Sequence, residues 1–417
     1  MSRASAELEA ALKRFETLYP ETIDLSLERI GILLDTLGRP QDKLPPVIHV
    51  AGTNGKGSTC AFMRGMAEAA GLSVHVAISP HLVRFNERIR LAGKLVEDAP
   101  LIAWLDRVYE AVGPNGQITH FEAAMAAAFL AFSEVPADLL ILETGLGGRF
   151  DATNMVDKPA VSVITPVDYD HKAYLGTDLS RIAWEKAGII KQGCPVVSAR
   201  QGFVPSGVIA EEAFALGAPL TVLTPADIAE APPERALIGR HQIENAALAA
   251  KALAVWGDTR ITSDAIERGA AQTIWPARMQ KLADGPIVQA GGGAQVWLDG
   301  GHNPHAASAV ADVLGAMPGK AVLVTAMMAG KDAQGFFKTF APINPLVFTC
   351  PNVEGHKGSD PDDLASAASA GGLVAEAHTS FENALKAASE TDADIILICG
   401  SLYLAGSVLL KNNQCPD

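Results

Sequence analysis

At 417 residues, with 48% hydrophobic and 19% charged residues, the chain has the make-up of an ordinary globular protein and not of a disordered one. Its length fits roughly two or three domains, each able to bury a sizeable core. A net charge of −14 argues against a general nucleic-acid binder, yet leaves room for a small anionic ligand held by a local cluster of Lys, Arg and helix dipole.

The five cysteines, at positions 60, 194, 350, 399 and 415, contain no C-x-x-C pair. That spacing fits a reducing compartment and offers neither a zinc site nor a disulfide framework. No apolar stretch approaches the roughly 20 residues of a membrane span. The longest, Ala123 to Phe132, is Ala-rich and reads as a buried helix. Charges at Arg3, Glu7, Glu9, Lys13 and Arg14 interrupt any apolar signal core, so a cytoplasmic protein is expected.

Residues 5–19 place Leu8, Leu12, Phe15 and Tyr19 at helical spacing. Asp24 can cap a second helix with an apolar face of Leu27, Ile30, Leu34 and Leu37, closed by Gly38. Then comes the most informative stretch, Val47-Ile48-His49-Val50-Ala51-Gly52-Thr53-Asn54-Gly55-Lys56-Gly57-Ser58-Thr59. A short apolar strand runs into a glycine turn with one Lys and two hydroxyls, and a helix is expected from Cys60 to Ala70. In that geometry, backbone N–H groups and a helix N-terminus converge on phosphate, while Ser58 or Thr59 can hold Mg²⁺. The strict pattern G-x-x-x-x-G-K-[ST] is not met, because Val50 stands where Gly is required and Gly57 separates Lys56 from Ser58. A tight turn that carries a Lys by chance is the plain alternative.

Ser73 to Ser79 reads as a second strand, stopped at Ser79-Pro80-His81. Arg84, Arg88 and Arg90 follow closely and suit either an anion or a solvated basic loop. Asp138 to Glu143 is an apolar run ending in a carboxylate, followed by Thr144-Gly145-Leu146-Gly147-Gly148-Arg149. Val161 to Thr165 repeats the arrangement and leads to Asp168, Asp170 and His171. Parallel strands open their carboxyl ends onto a ligand crevice, so Glu143 stands where an ATP-cleaving enzyme carries a Mg²⁺ residue. Arg181 to Lys191 reads as an amphipathic helix ended at Gly188, on which Glu185 and Lys186 suggest a surface ion pair.

Residues 203–235 suggest short strands and helices without recognisable chemistry, and an apolar helix begins at Arg240 with polar residues at its start. The pattern breaks around Ile274 to Arg278, which sets an expected boundary between domains 1–275 and 276–417. Pro286–Ala290 and Ala294–Asp299, around Gly291-Gly292-Gly293, suggest a hairpin ending in Asp299-Gly300-Gly301-His302-Asn303-Pro304-His305. Strands are expected at 321–326, 345–350 and 394–400 with Ala-rich helices between, an α/β alternation that implies a mostly parallel sheet.

Taken together, these motifs resemble the folylpolyglutamate synthase / dihydrofolate synthase ligases, of the bifunctional bacterial type and related to the Mur ligases. The similarity runs from about Thr22 to Ser407. Ala51 to Ser58 looks like the family's ATP loop, Ser79-Pro80-His81-Leu82 its folate loop, and Leu142 to Asn154 its longest signature. Asp170-His171 and Glu185-Lys186-Ala187-Gly188-Ile189 match a metal loop and the helix after it. Asp299 to His305 resembles D-G-A-H-N-P-H, with Gly301 replacing Ala.

The resemblance implies a P-loop-type, mostly parallel ATP-binding sheet and a smaller Rossmann-like α/β C-terminal domain. It implies ATP contacts at Asn54, Gly55, Lys56, Gly57, Ser58, Asn245, Arg278, Asp299 and His302. It also implies two Mg²⁺ ions, one held by Ser58, Ser79 and Glu143, the other by Glu143, His171 and a carbamylated Lys186. Lys56, Glu143, His171 and Lys186 become the catalytic set. Ser79 and His81 belong to the folate loop, and Thr22, Ile23, Asp24, Phe121, Glu122 and Asp151 resemble pterin-contacting positions. Two departures stand out: Lys172 replaces a neutral residue, and Ala277 stands where Gly is common.

The implied activity is ATP-dependent ligation of L-glutamate to dihydropteroate and to reduced folates through an acyl phosphate, by a monomer without nucleic-acid or membrane partners. One alternative is a Mur-type ligase acting on a peptidoglycan precursor, but the roughly 45 residues before the ATP loop are short for the domain of about 100 residues those enzymes usually carry there. Another is a nucleotide-dependent switch, which has no need of Arg278, Asp299 and His302.

Overall fold

The computed structural model describes residues 3–16, 18, 26–114, 116–353, 355 and 357–416, so Tyr19, Thr22, Ile23 and Asp24 lie outside the described residues. Runs of aliphatic residues buried on both faces define the strands of the first sheet. β1 (Val47–Ala51), β2 (Val74–Ala77), β5 (Leu139–Glu143) and β6 (Val161–Ile164) are buried at every position, as expected where helices cover both sides of a parallel sheet. The shorter β3 (Ile89–Leu91), β4 (Lys94–Leu95), β7 (Val196–Ser198) and β8 (Leu220–Val222) complete eight strands in the order β4-β3-β2-β5-β1-β6-β7-β8. Only the β2–β3 and β3–β4 pairings are antiparallel. Val50 lies level with Glu143, and Ala51 with Ile164, so three neighbouring strands end at one edge.

The helix His120–Glu134 buries every residue from Ala123 to Phe132, which explains its unbroken apolar composition. Thr119 opens it with a capping box in which the Thr119 hydroxyl accepts from Glu122 N and the Glu122 carboxylate accepts from Thr119 N. The helix Lys56–Ala69 meets Ser263–Gln272 with almost no side-chain layer between them. A Cβ placed on Gly269 would come within 2.4 Å of Met66 Cα and N.

The second sheet contains β9 (Gln280–Lys281), β10 (Gln295–Leu298), β11 (Ala321–Thr325), β12 (Leu346–Thr349), β13 (Ala375–Ala377) and β14 (Ile395–Cys399). Their order is β13-β12-β11-β14-β10-β9, parallel except for β9 against β10. Val296, Leu298, Val322, Val324, Ile396 and Ile398 form one core on this sheet, and Leu323, Val347, Ile395 and Leu397 belong to another.

The expected hairpin at 286–299 does not exist. Pro286–Ala290 is a helix, with Pro in its first turn where the missing N–H costs nothing. Gln280–Lys281, a two-residue strand without apolar character, provides the antiparallel partner of β10.

The chain divides into two compact units. One is drawn from the segments up to His81, Asn86–Arg235 and Ile243–Thr273; the other from Leu82–Phe85, Ala236–Gln242 and Ile274 onward. Among the described residues, no helix is long and apolar enough to cross a membrane.

Candidate functional site

The glycine loop leaves β1 with Gly52 at φ +147° and reaches Gly55 at φ +85°, a left-handed conformation that glycine adopts at little cost. Gly55 is the N-cap, so the helix begins at Lys56, a full turn before the expected Cys60. Lys56, Gly57, Ser58 and Thr59 therefore form its first turn, in which Thr59 N already donates to Gly55 O at 2.8 Å and whose start, at the positive end of the helix dipole, favours an anion. Lys56 Nζ donates to Gly52 O at 3.2 Å and Thr53 O at 3.3 Å. A Cβ on Gly55 would lie 2.5 Å from Asn245 Oδ1, so Asn245 rests directly against the loop.

Glu143 ends β5 beside Val50 and is buried, and Thr144 N donates to Val50 O at 2.9 Å. Cys60 reports on the surrounding charge. Burial pushes its thiol pKa well up, Glu143 adds to that rise and Lys56 opposes it, so both charged groups act on one point of the helix's first turns. Ser79, joined to Pro80 by a cis peptide bond, has a buried Oγ without a hydrogen-bond partner.

These oxygen donors suit Mg²⁺. The orphaned Ser79 hydroxyl and the buried Glu143 carboxylate are hard ligands, and Ser58 is buried in the helix's first turn. Among the described residues, no three His, Cys, Asp or Glu side chains gather as a metal cage.

After β6 the chain turns back over the glycine loop. Thr53 N and Asn54 N donate to Pro166 O at 3.0 and 3.4 Å. Thr53 Oγ1 donates to Asp168 O at 2.8 Å and accepts from Asp168 N at 3.0 Å. Asp170 Oδ1 accepts from His171 N at 2.7 Å, and His171 takes up φ +49° with an exposed ring. Lys172, the unusual cation, lies 5.4 Å from the Tyr169 ring centre.

Lys186 overturns the surface ion-pair expectation. Both Glu185 and Lys186 are buried, on the helix Leu179–Ala187, whose start is capped by Asp178 accepting from Ser180 N. Lys186 Nζ donates to Gly52 O at 2.9 Å. Burial, reinforced by Lys56, lowers its pKa to about 7 against the opposing pull of Asp170, Asp151 and Glu185. Burial also pushes the Glu185 carboxyl up, and Glu185 Oε2 has no hydrogen-bond partner.

The signature loop reaches this helix because it lacks side chains where they meet. A Cβ on Gly148 would lie 2.7 Å from Glu185 O and 2.9 Å from Lys186 O, and one on Gly188 would lie 2.3 Å from Arg149 Cβ. Arg149 N donates to Glu185 O at 2.7 Å, and its guanidinium stacks 3.8 Å from the Trp184 ring centre.

Of the expected pterin-contacting carboxylates, two are engaged within the protein. Asp151 accepts from Leu146 N, Thr153 N and Thr153 Oγ1 at 2.8, 3.0 and 2.6 Å. Since Thr153 gives its proton to Asp151, its oxygen accepts from His49 Nε2 at 2.9 Å, which fixes the His49 tautomer. Glu122 pairs with Arg29 at 3.1 Å besides closing its capping box. Phe121 packs on the signature loop, where a Cβ on Gly145 would lie 2.6 Å from Phe121 Cζ. His81 Nδ1 accepts from Arg88 Nε at 2.8 Å, so the imidazole carries its proton on Nε2. Neither Arg29 nor the Thr53–Asp168 pairing had a signal in sequence spacing, because each depends on tertiary approach.

In the second unit, β10 delivers the buried Asp299, which accepts from Gly301 N at 2.7 Å and Met279 N at 2.8 Å. His302 Nδ1 donates to Gly300 O at 3.0 Å, and Asn303 caps the helix Pro304–Ala316. Arg278 donates to Ala277 O at 2.8 Å. Ala277 itself has φ +55°, which gives the physical reason a glycine would be favoured there.

Residues 277–402 match the family model described as Mur ligase, glutamate ligase domain. The chain is 33% identical to the dihydrofolate synthase/folylpolyglutamate synthase of Escherichia coli (strain K12), over 98% of this chain and 96% of that protein. The structure of E. coli FolC in complex with DHPP and ADP superposes with a TM-score of 0.85 at 31% identity, covering 98% of both chains. A bifunctional folylpolyglutamate synthase/dihydrofolate synthase with Mn, AMPPNP and L-glutamate bound gives a TM-score of 0.83 at 30% identity, again over 98% of both chains.

Proposed function

The chain belongs to the dihydrofolate synthase/folylpolyglutamate synthase family, and from that premise we propose how its residues carry out the ligation. It is an ATP-dependent ligase that joins L-glutamate to dihydropteroate and to reduced folates. The peptidoglycan-precursor and switch alternatives give way to this reading. The observation that carries the residue assignments is the meeting of the glycine loop, Glu143 and the Asp168–His171 loop at the ends of three adjacent parallel strands.

A carboxylate is a poor electrophile. One of its oxygens therefore takes the γ-phosphoryl group of ATP, ADP leaves, and the resulting acyl phosphate accepts the amine of L-glutamate. The neutral amine nitrogen bonds to the acyl carbon, the bond from that carbon to the phosphate oxygen breaks and phosphate departs, and the nitrogen gives up one proton while keeping the other as the amide N–H. Asn54, Gly55, Lys56 and Gly57 wrap the ATP phosphates, using the N–H groups of the first helical turn and the Lys56 charge. Asn245, Arg278, Asp299 and His302 are assigned to the rest of the nucleotide.

Ser58, Ser79 and Glu143 would hold one divalent cation, and Glu143, His171 and Lys186 a second. When bound, these ions neutralise charge developing on the transferring phosphoryl group. An amine with a pKa near 7 is neutral often enough to add to carbon dioxide, losing a proton as the N–C bond forms, so Lys186 would serve as a carbamate. Ser79, His81, Phe121, Glu122, Asp151 and the segment Thr22-Ile23-Asp24 are assigned to the folate side, with Glu122 and Asp151 acting by shaping their loops. The working unit is taken as a monomer.

The test is a mass-spectrometric product assay with ATP, Mg²⁺ and L-glutamate, offering dihydropteroate and a reduced folate in parallel. Glutamate added to both acceptors is the expected result. ADP accumulating without any ligated product would overturn the reading.

A further inference from the structure

Thr53 stands in the middle of the phosphate loop, where a hydroxyl would ordinarily be read as a phosphate or metal ligand. Its hydrogen bonds point elsewhere. The hydroxyl proton goes to Asp168 O at 2.8 Å, and the oxygen accepts Asp168 N–H at 3.0 Å. One side chain thus satisfies both polar groups of a single residue on another loop. The backbone repeats the connection, since Thr53 N and Asn54 N both donate to Pro166 O.

Asp168 is itself committed to its own turn, its Oδ1 accepting from Tyr169 N at 2.7 Å. Two residues later, Asp170 holds the His171 amide in the same manner. A displacement of Thr53 is therefore passed to the backbone of Asp168 and along the turn toward His171. The connection is local and polar, and it needs a hydroxyl: a β-branched apolar residue would fill the same volume while leaving the Asp168 N–H and C=O without their partner.

We infer that Thr53 is a positioning residue that couples the phosphate loop to the loop bearing Asp170 and His171, so that nucleotide phosphates and the second cation site are held in register. This rests on the assignment of those two loops to ATP and metal given above.

Hydrogen–deuterium exchange on the full chain tests it without turnover. With a non-hydrolysable ATP analogue and Mg²⁺, the wild-type protein should gain protection both in residues 53–59 and in residues 167–172. Thr53→Val should gain protection in the first segment alone, and Thr53→Ser, which keeps the hydroxyl, should behave as wild type. In ligation assays Thr53→Val should need several-fold more Mg²⁺ for half-maximal activity, with a smaller change in KM for ATP. Should the Val variant fail to fold, Thr53→Ala removes the hydroxyl with less bulk and takes its place. Protection of 167–172 that survives loss of the hydroxyl would overturn the inference, as would a Ser variant as impaired as the Val variant. Failure of the wild-type protein to respond to the analogue in residues 53–59 would instead strike at the functional reading itself.

Discussion

The amine of Lys186 donates a 2.9 Å hydrogen bond to the carbonyl oxygen of Gly52, joining a buried helical lysine to the first residue of the phosphate loop. The bond explains how a lysine is tolerated inside the protein, and the low pKa explains why its amine is chemically available. Lys186→Arg keeps a cation but cannot form a carbamate, because a guanidinium stays protonated. Ligation should be lost, and ¹³C-bicarbonate should give a carbamate signal in the wild type that disappears in the variant. Wild-type turnover in Lys186→Arg would refute the assignment.

Glu143→Ala removes the buried carboxylate at the end of β5. ADP formation should fall by about 10²–10³-fold or more, the scale of losing one group that stabilises developing charge. Thermal melts with and without ATP and Mg²⁺ separate this from misfolding, because the variant should keep its fold and lose the metal-dependent part of the stabilisation. Near-normal ADP release would sink the metal role of Glu143.

His49 supplies an acid-sensitive element of stability. Burial, with a smaller push from Lys191, holds its folded-state pKa at about 3 against an ordinary 6.5. Between those values the unfolded chain binds the extra proton, so stability is lost as pH falls from about 6.5 towards 3. The slope from one such proton is at most about 1.4 kcal/mol per pH unit. Urea unfolding of His49→Gln, which keeps an N–H for Thr153, should show a shallower acid limb than the wild type. Asp151 works in the opposite sense but is common to both proteins, so the difference isolates His49. Parallel acid limbs would remove the histidine from the account.

Gly269→Ala should destabilise the first unit, although alanine is the better helix former by about 1 kcal/mol. The added carbon meets Met66 backbone atoms at 2.4 Å, and overpacking of this kind costs about 1–3 kcal/mol. The helix that must yield begins at Lys56, so KM for ATP should rise together with the drop in the urea midpoint. An unchanged midpoint would mean that the two helices separate freely.

The parallel strands were legible because burial on both faces demands unbroken aliphatic runs, as in Leu139–Glu143 and Val161–Ile164. The edge strands Gln280–Lys281 and Ala375–Ala377 were not, being short and only partly covered. Pro286–Ala290 is an apolar run too short for periodicity to separate strand from helix, and proline at its start decided the matter. Gly55 and Gly57 read as turn residues, which hid a helix already under way at Lys56. Within the site, residue types at strand ends were readable from pattern alone. The burial of Lys186 was not, because its partner is a backbone carbonyl 134 residues away.

Where Gly148 and Gly188 bring the signature loop onto the helix bearing Lys186, main chain touches main chain. At Gly148 the nearest atoms are the backbone of Glu185 and Lys186, and no side chain stands there to change rotamer and absorb a displacement. Helix and loop consequently behave as a single stiff piece, and a shift of the lysine carries the segment following Glu143 with it. The two groups proposed to share a metal ion cannot be adjusted independently. Variation that re-tunes one of them must arrive through the glycine contact, where almost any side chain is excluded.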